Sequence, residues 1–182
     1  MILCISTSSP QVSLALIYEG KVVDSVQELA PRTASKVVLE LLEVLLHKNG
    51  LLKEHITGVV ADLGPGSFTG TRVGVMAAKT LAFARGVKCG GVDAFTLIGA
   101  ENVVIRVRKG EWMRPDGEML FELPNGALTY GDGHENYPQA ARLNGNLDRV
   151  IWADPLELTP NYILPPSISE PKQEILKKVI GT

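Results

Sequence analysis

The sequence predicts an α/β protein, with a mixed sheet that opens as an antiparallel meander and carries flanking helices. Three observations predict it. The first 29 residues hold three β-patterned runs separated by short turns. The next apolar runs alternate with helix-patterned stretches, the crossover arrangement that parallel strands require. The stretch Asp62–Gly74, DLGPGSFTGTRVG, joins one such strand directly to a helix and holds four glycines.

The elements follow in order. ILCIST (Ile2–Thr7) reads as a buried strand, SSPQ as a turn, and VSLALIY (Val12–Tyr18) as a second strand. Glu19-Gly20 is a tight hairpin into KVVDSVQEL (Lys21–Leu29). APRTAS breaks the pattern, and Thr33 or Ser35 can cap a helix that runs to Asn49. Its apolar positions, Val37, Val38, Leu41, Leu42, Val44, Leu45 and Leu46, form a stripe wider than one core face needs. ITGVVADL (Ile56–Leu63) is the next buried strand, followed by the glycine turn and a helix to about Arg85. Val73, Met76, Ala77, Thr80, Leu81 and Ala84 fall at helical spacing along it. VKCGGV (Val87–Val92) is a short strand, and Asp93 caps a short helix over DAFTLIGA.

After Gly99 the texture becomes strand-rich. NVVIRVRKGEWMR, GEMLFEL and GALTYGDG read as short strands, with turns at Lys109-Gly110, Asp116-Gly117 and Asn125-Gly126. Asp148–Ala153 is one more strand candidate, and Ser169 can cap a last helix over EPKQEILKKVI. The expected organisation is a first lobe over residues 1–99 and a smaller second lobe over 100–182.

Composition excludes several classes. The chain has 182 residues and a formal net charge of −2, so no global field draws it to nucleic acid or an anionic membrane. Cys4 and Cys89 sit in short apolar runs, as buried thiols do, which suits a reducing cytosol. The start lacks a basic n-region and a long apolar h-region, and no run is long enough to span a bilayer. A cytoplasmic protein with no membrane partner is expected.

The glycine turn matches none of the common ligand loops. Gly64 and Gly70 are six apart, and Thr71-Arg72 stands where a Walker A loop has Lys-Ser/Thr. The spacing also fails G-x-G-x-x-G and G-x-S-x-G. Two readings stay open. Free N–H groups at the helix start, the hydroxyls of Ser67, Thr69 and Thr71 and the Arg72 fork can hold an anion. Alternatively Gly66, Gly70 and Gly74, four residues apart, let a backbone pack closely with no ligand at all.

The run GPGSFTGTRVGVMAAKTLA, preceded by ILCISTSS, resembles the bacterial TsaB (YeaZ) family, strongly over Met1–Gly99 and more weakly beyond. The resemblance implies an actin-like (ASKHA), ribonuclease-H-like fold. It implies a non-catalytic subunit of tRNA threonylcarbamoyladenosine synthesis, with no cofactor, that pairs with a TsaD-type catalytic paralogue. A TsaE-type ATPase would dock on that pair, and tRNA would be met indirectly. The implied pairing face is the first two helices, through Val37, Val38, Leu41, Leu42, Leu45, Val73, Met76, Ala77 and Thr80. The same face would serve a homodimer when the paralogue is absent.

The chain departs from the family where members often keep DTS at the end of the first strand; here stand Ser6-Thr7-Ser8. That loss argues against the alternative function, a nucleotide-binding actin-like kinase or ATPase using the loop Gly64–Thr71. His47, His55 and His134 lie far apart and have no metal-ligand spacing, and no Ser/His/Asp set is assignable. Arg106, Arg108, Lys109 and Arg114 around Trp112 read as a solvated hairpin face rather than an RNA contact.

Overall fold

A computed structural model describes residues 1–131 and 134–162. The expected C-terminal helix lies outside the described residues.

The main sheet has six strands in the order β11-β5-β4-β1-β2-β3. β1 (Ile2–Ser6), β4 (Gly58–Asp62) and β5 (Lys88–Val92) run parallel at its centre. These three are apolar and nearly continuously buried, as strands covered on both faces must be. β2 (Gln11–Tyr18) and β3 (Lys21–Leu29) complete the antiparallel meander, with a register shift between Leu16 and Ile17. β3 alternates half-buried and exposed residues because it is an edge. β11 (Ile151–Ala153), far along the chain, closes the other edge antiparallel to β5.

Alternation along the strands sorts two cores. Leu3, Ile5, Leu14, Leu16, Val59 and Ala61 face one way, and α1 (Ala34–Lys48) and α2 (Phe68–Arg85) cover them. Cys4, Ala15, Ile17 and Val60 face the other way, under α3 (Ala94–Ile98) and a turn of 3₁₀ helix at Ala140–Leu143. Both cysteines are free and buried.

α1 buries Val37, Val38, Leu41, Leu42, Leu45 and Leu46, six aliphatic residues on one broad stripe. Thr33 precedes it as predicted, but its side chain makes no capping bond. α2 is capped by Ser67, whose Oγ accepts from the Gly70 N–H at 3.1 Å, and it ends on Gly86 in the left-handed region. Gly70, Gly74, Ala78 and Ala82 are buried at four-residue spacing, so α2 lies close on the sheet.

Beyond Gly99 the strands are shorter than the sequence suggests. β6 (Ile105–Arg108), β7 (Glu111–Met113) and β8 (Met119–Leu120) form a small antiparallel sheet. β9 (Tyr130–Gly131) pairs with β10 (His134–Glu135). The chain then returns to the first sheet, placing Leu143 and Val150 in the second core and Leu158 in the first. Residues 154–162 run as a strap beside α2: Lys79 Nζ donates to the carbonyls of Leu156 and Leu158 at 3.1 and 2.9 Å. The Asn161 N–H donates to the Leu63 carbonyl at 2.8 Å, which anchors the strap at the end of β4.

Candidate functional site

Two regions carry the residues singled out in the sequence: the glycine turn and the outer face of α1 and α2.

The turn sits at the carboxyl end of β4, packed against the segment that leaves β1. A Cβ on Gly66 would strike the Ser8 carbonyl, one on Gly70 the Thr7 carbonyl, and one on Gly74 the Thr7 hydroxyl. Gly66 and Gly70 are therefore required by close approach of backbone to backbone, and Gly74 by the Thr7 side chain. Gly64 has φ +86°, a conformation that side-chain-bearing residues rarely adopt.

The turn's polar groups are largely engaged. The Ser67 N–H donates to the Ser8 carbonyl at 2.6 Å, and the Thr71 hydroxyl to the Ser67 carbonyl at 2.9 Å. Thr7 Oγ1 donates to the Gly70 carbonyl at 2.7 Å. Thr69 is exposed. Arg72 stacks 3.9 Å over the Phe68 ring and donates from Nε to the Tyr162 hydroxyl at 2.9 Å, so its fork turns to the strap.

Beneath the turn lies a residue that the sequence reading passed over. Asp62 is fully buried at the end of β4. Its Oδ2 accepts from the Ser6 and Ser8 hydroxyls at 2.6 and 2.5 Å, and its Oδ1 from the Gly64 N–H at 2.8 Å. Burial pushes this carboxyl above the ordinary range; the three donors pull it down by less, and nearby Asp93 pushes the same way as burial. The signal was available, since an acidic residue ending an apolar run and opening a glycine turn has to be satisfied there. Tyr130, itself buried, directs its hydroxyl to the Ser8 carbonyl at 3.4 Å, which ties the second half of the chain to this node.

A cleft of about 670 Å³ opens beside the turn, past the carboxyl ends of β4 and β5, where open α/β sheets bind ligands. Pro65, Asp93, Glu101, Met113 and Arg149 are among its lining. Ser67, Thr69 and Thr71 are not, so the turn's hydroxyls do not converge on it.

The helix face needs a correction. Val37, Val38, Leu41, Leu42 and Leu45 were expected to be available to a partner. All five are buried in the chain's own core, with Leu45 at 0% exposure. The wide stripe arises because α1 covers β2 and β3 while also packing against α2. Of the α2 residues named, Val73 and Ala77 are half-buried against the core, while Met76 and Thr80 are exposed. The surface apolar residues on the pair are Leu39 and Val44 on α1, and Met76 and Phe83 on α2. Periodicity missed Leu39 and Phe83 because it identifies a helix's best-buried side first.

A six-stranded mixed sheet with this meander and these flanking helices defines a protein of the actin-like, ribonuclease-H-like class. YeaZ from Pseudomonas aeruginosa has the same fold, with a TM-score of 0.72 and 20% identity over 89% of this chain and 99% of that one. The family model "TsaD: tRNA N6-adenosine threonylcarbamoyltransferase" matches residues 22–105. Proteins called "tRNA threonylcarbamoyladenosine biosynthesis protein TsaB" are 35% identical over 114 residues in Haemophilus influenzae and 34% over 153 residues in Escherichia coli. Those alignments take in 58% and 84% of this chain. By these likenesses the chain is similar to proteins of the TsaB (YeaZ) family. It spans about half the length of the curated relatives it matches, 48% and 54% of these two.

Proposed function

We propose that the chain is a non-catalytic subunit in the synthesis of threonylcarbamoyladenosine on tRNA. In this reading it works as a scaffold and pairs with a TsaD-type catalytic paralogue. The observation that carries the reading is the agreement between the TsaB names of its relatives and the exposed Met76 and Phe83 on α2. Large apolar side chains exposed together on a helix call for a partner. The family model covers residues 22–105, which include α1 and α2 whole, so a TsaD-type protein presents a related helix pair. Two related faces can pair about an approximate two-fold axis, and two copies of this chain can do the same.

A non-catalytic role is supported by the state of the chain's polar groups. The Asp62 carboxyl is sealed from solvent, and the Ser67 and Thr71 hydroxyls bond to the chain itself. The scaffold would hold the paralogue in its competent state; a TsaE-type ATPase would bind the pair, and tRNA would be met through the complex, in the cytoplasm. Among the described residues no helix is long and apolar enough to cross a membrane. The lobe division at residues 99 and 100 belongs to the same proposal, with residues 140–158 crossing back to the first sheet. The nucleotide-binding alternative needs Gly64–Thr71 free to wrap phosphates, whereas Thr7 and Ser8 fill that space.

Size exclusion with light scattering tests the proposal, on the chain alone and mixed with the TsaD-type paralogue of the same organism. A stable one-to-one complex is expected. A homodimer that the paralogue leaves unchanged would refute the scaffold role.

A further inference from the structure

We infer that the strap 154–162 is a third rib of the pairing surface, and that Leu156 on it contacts the partner directly. This rests on the scaffold reading above and adds to it an element that neither helix supplies.

Three ribs lie side by side on one face of the sheet. α1 sits over β2 and β3, and α2 sits over β4 with contacts to β1 and β5. The strap follows β11, the strand beyond β5, and runs back along α2 towards its start. It is fixed at four points: the buried Leu158 plug, the Lys79 clasp on two carbonyls, the Asn161 N–H on the Leu63 carbonyl, and Tyr162 against Phe68 and Arg72. A segment held this way presents its side chains at defined positions, which lowers the entropy a partner must take from it on binding.

What it presents is apolar. Leu156 is 73% exposed although its own carbonyl is held by Lys79. Lys79 lies three residues after Met76 and four before Phe83, so all three share a side of α2. Met76 and Phe83 are 59% and 69% exposed. The Lys79 ammonium, which would otherwise charge the middle of this patch, is turned aside and satisfied by the strap. Leu156 therefore continues the apolar surface of Met76 and Phe83 across the width of one lysine side chain.

The occupant that fits is the helix pair of the TsaD-type paralogue. That family's model matches this chain over α1 and α2 but stops at residue 105, well before the strap. The strap thus makes the surface broader than a bare helix-on-helix contact, on the side of α2 away from α1.

The test uses the full chain with the paralogue. Leu156→Glu places a charge on an exposed position, so folding should be unchanged by circular dichroism and melting temperature. Affinity for the paralogue should fall by about tenfold or more, the loss expected when an interface leucine is replaced by a charge. A photo-crosslinking residue at position 156 should join the two chains. If the wild type binds, Leu156→Glu binds equally well and no crosslink forms, the strap inference is overturned while the scaffold reading stands. If the wild type does not bind the paralogue at all, both fall.

Discussion

The carboxyl of Asp62, at the end of β4, accepts a hydrogen bond from the hydroxyl of Ser6, at the end of the neighbouring strand β1, at 2.6 Å. Ser8 donates to the same oxygen. β1 ends on a serine, and the carboxylate that its hydroxyl meets comes from across the sheet. This carboxyl is buried and accepts from neutral donors, so it ties the end of β1 to the glycine turn.

That arrangement predicts a pH dependence. Asp62 has its folded-state value raised above the ordinary 3.8. A carboxyl raised on folding contributes stability below its unfolded value and loses that contribution as pH rises through the folded value. Urea unfolding of wild type and Asp62→Asn at pH 4 and pH 8 isolates the effect, because other groups cancel between the two proteins. The wild type should lose stability relative to Asp62→Asn on going to pH 8; a relative gain would contradict it. Asp62→Asn itself should cost about 1–3 kcal/mol, since its amide turns a donor towards the serine hydroxyls or the Gly64 N–H.

Gly70 should tolerate no side chain. Gly70→Ala pushes a methyl group into the Thr7 carbonyl, a backbone atom, so α2 or the segment that leaves β1 has to shift. The expected loss is about 1–3 kcal/mol, read by chemical denaturation. Gly110→Asn at an open turn, with φ +76° and nothing near, should cost far less.

Helix α1 and the outer side of α2 should separate folding from pairing. Leu45→Glu buries an unpaired charge at a fully enclosed site and should unfold the chain, with a loss above about 3 kcal/mol. Phe83→Glu lies on the surface, so the fold should persist while the complex with the paralogue is lost in light scattering. A folded Leu45→Glu protein would contradict the placement of α1.

The strap should open as a unit. Lys79→Met keeps the apolar stem of the side chain and removes both bonds to the strap carbonyls. Amide hydrogen exchange over residues 154–162 should quicken while exchange in β1 and β4 stays slow. Equal protection across the strap in both proteins would show that Leu158, Asn161 and Tyr162 hold it without the Lys79 clasp.

The sequence by itself determined the order of the first elements. Strand alternation, the Glu19-Gly20 turn and the Asp93 cap are local signals, written in neighbouring residues. It also narrowed the reason for Gly66, Gly70 and Gly74 to ligand or close packing. Only the tertiary structure brought the Thr7 and Ser8 carbonyls against those glycines and set Asp62 between two serines. It likewise put the α1 stripe inside the core, and joined β11 and the strap to a sheet begun far earlier in the chain. The reason is physical: a hydrophobic stripe records that a side will be buried, but not whether the chain itself or another molecule buries it. Contacts between residues 56 or 79 positions apart follow from how the layers stack, which no local pattern contains.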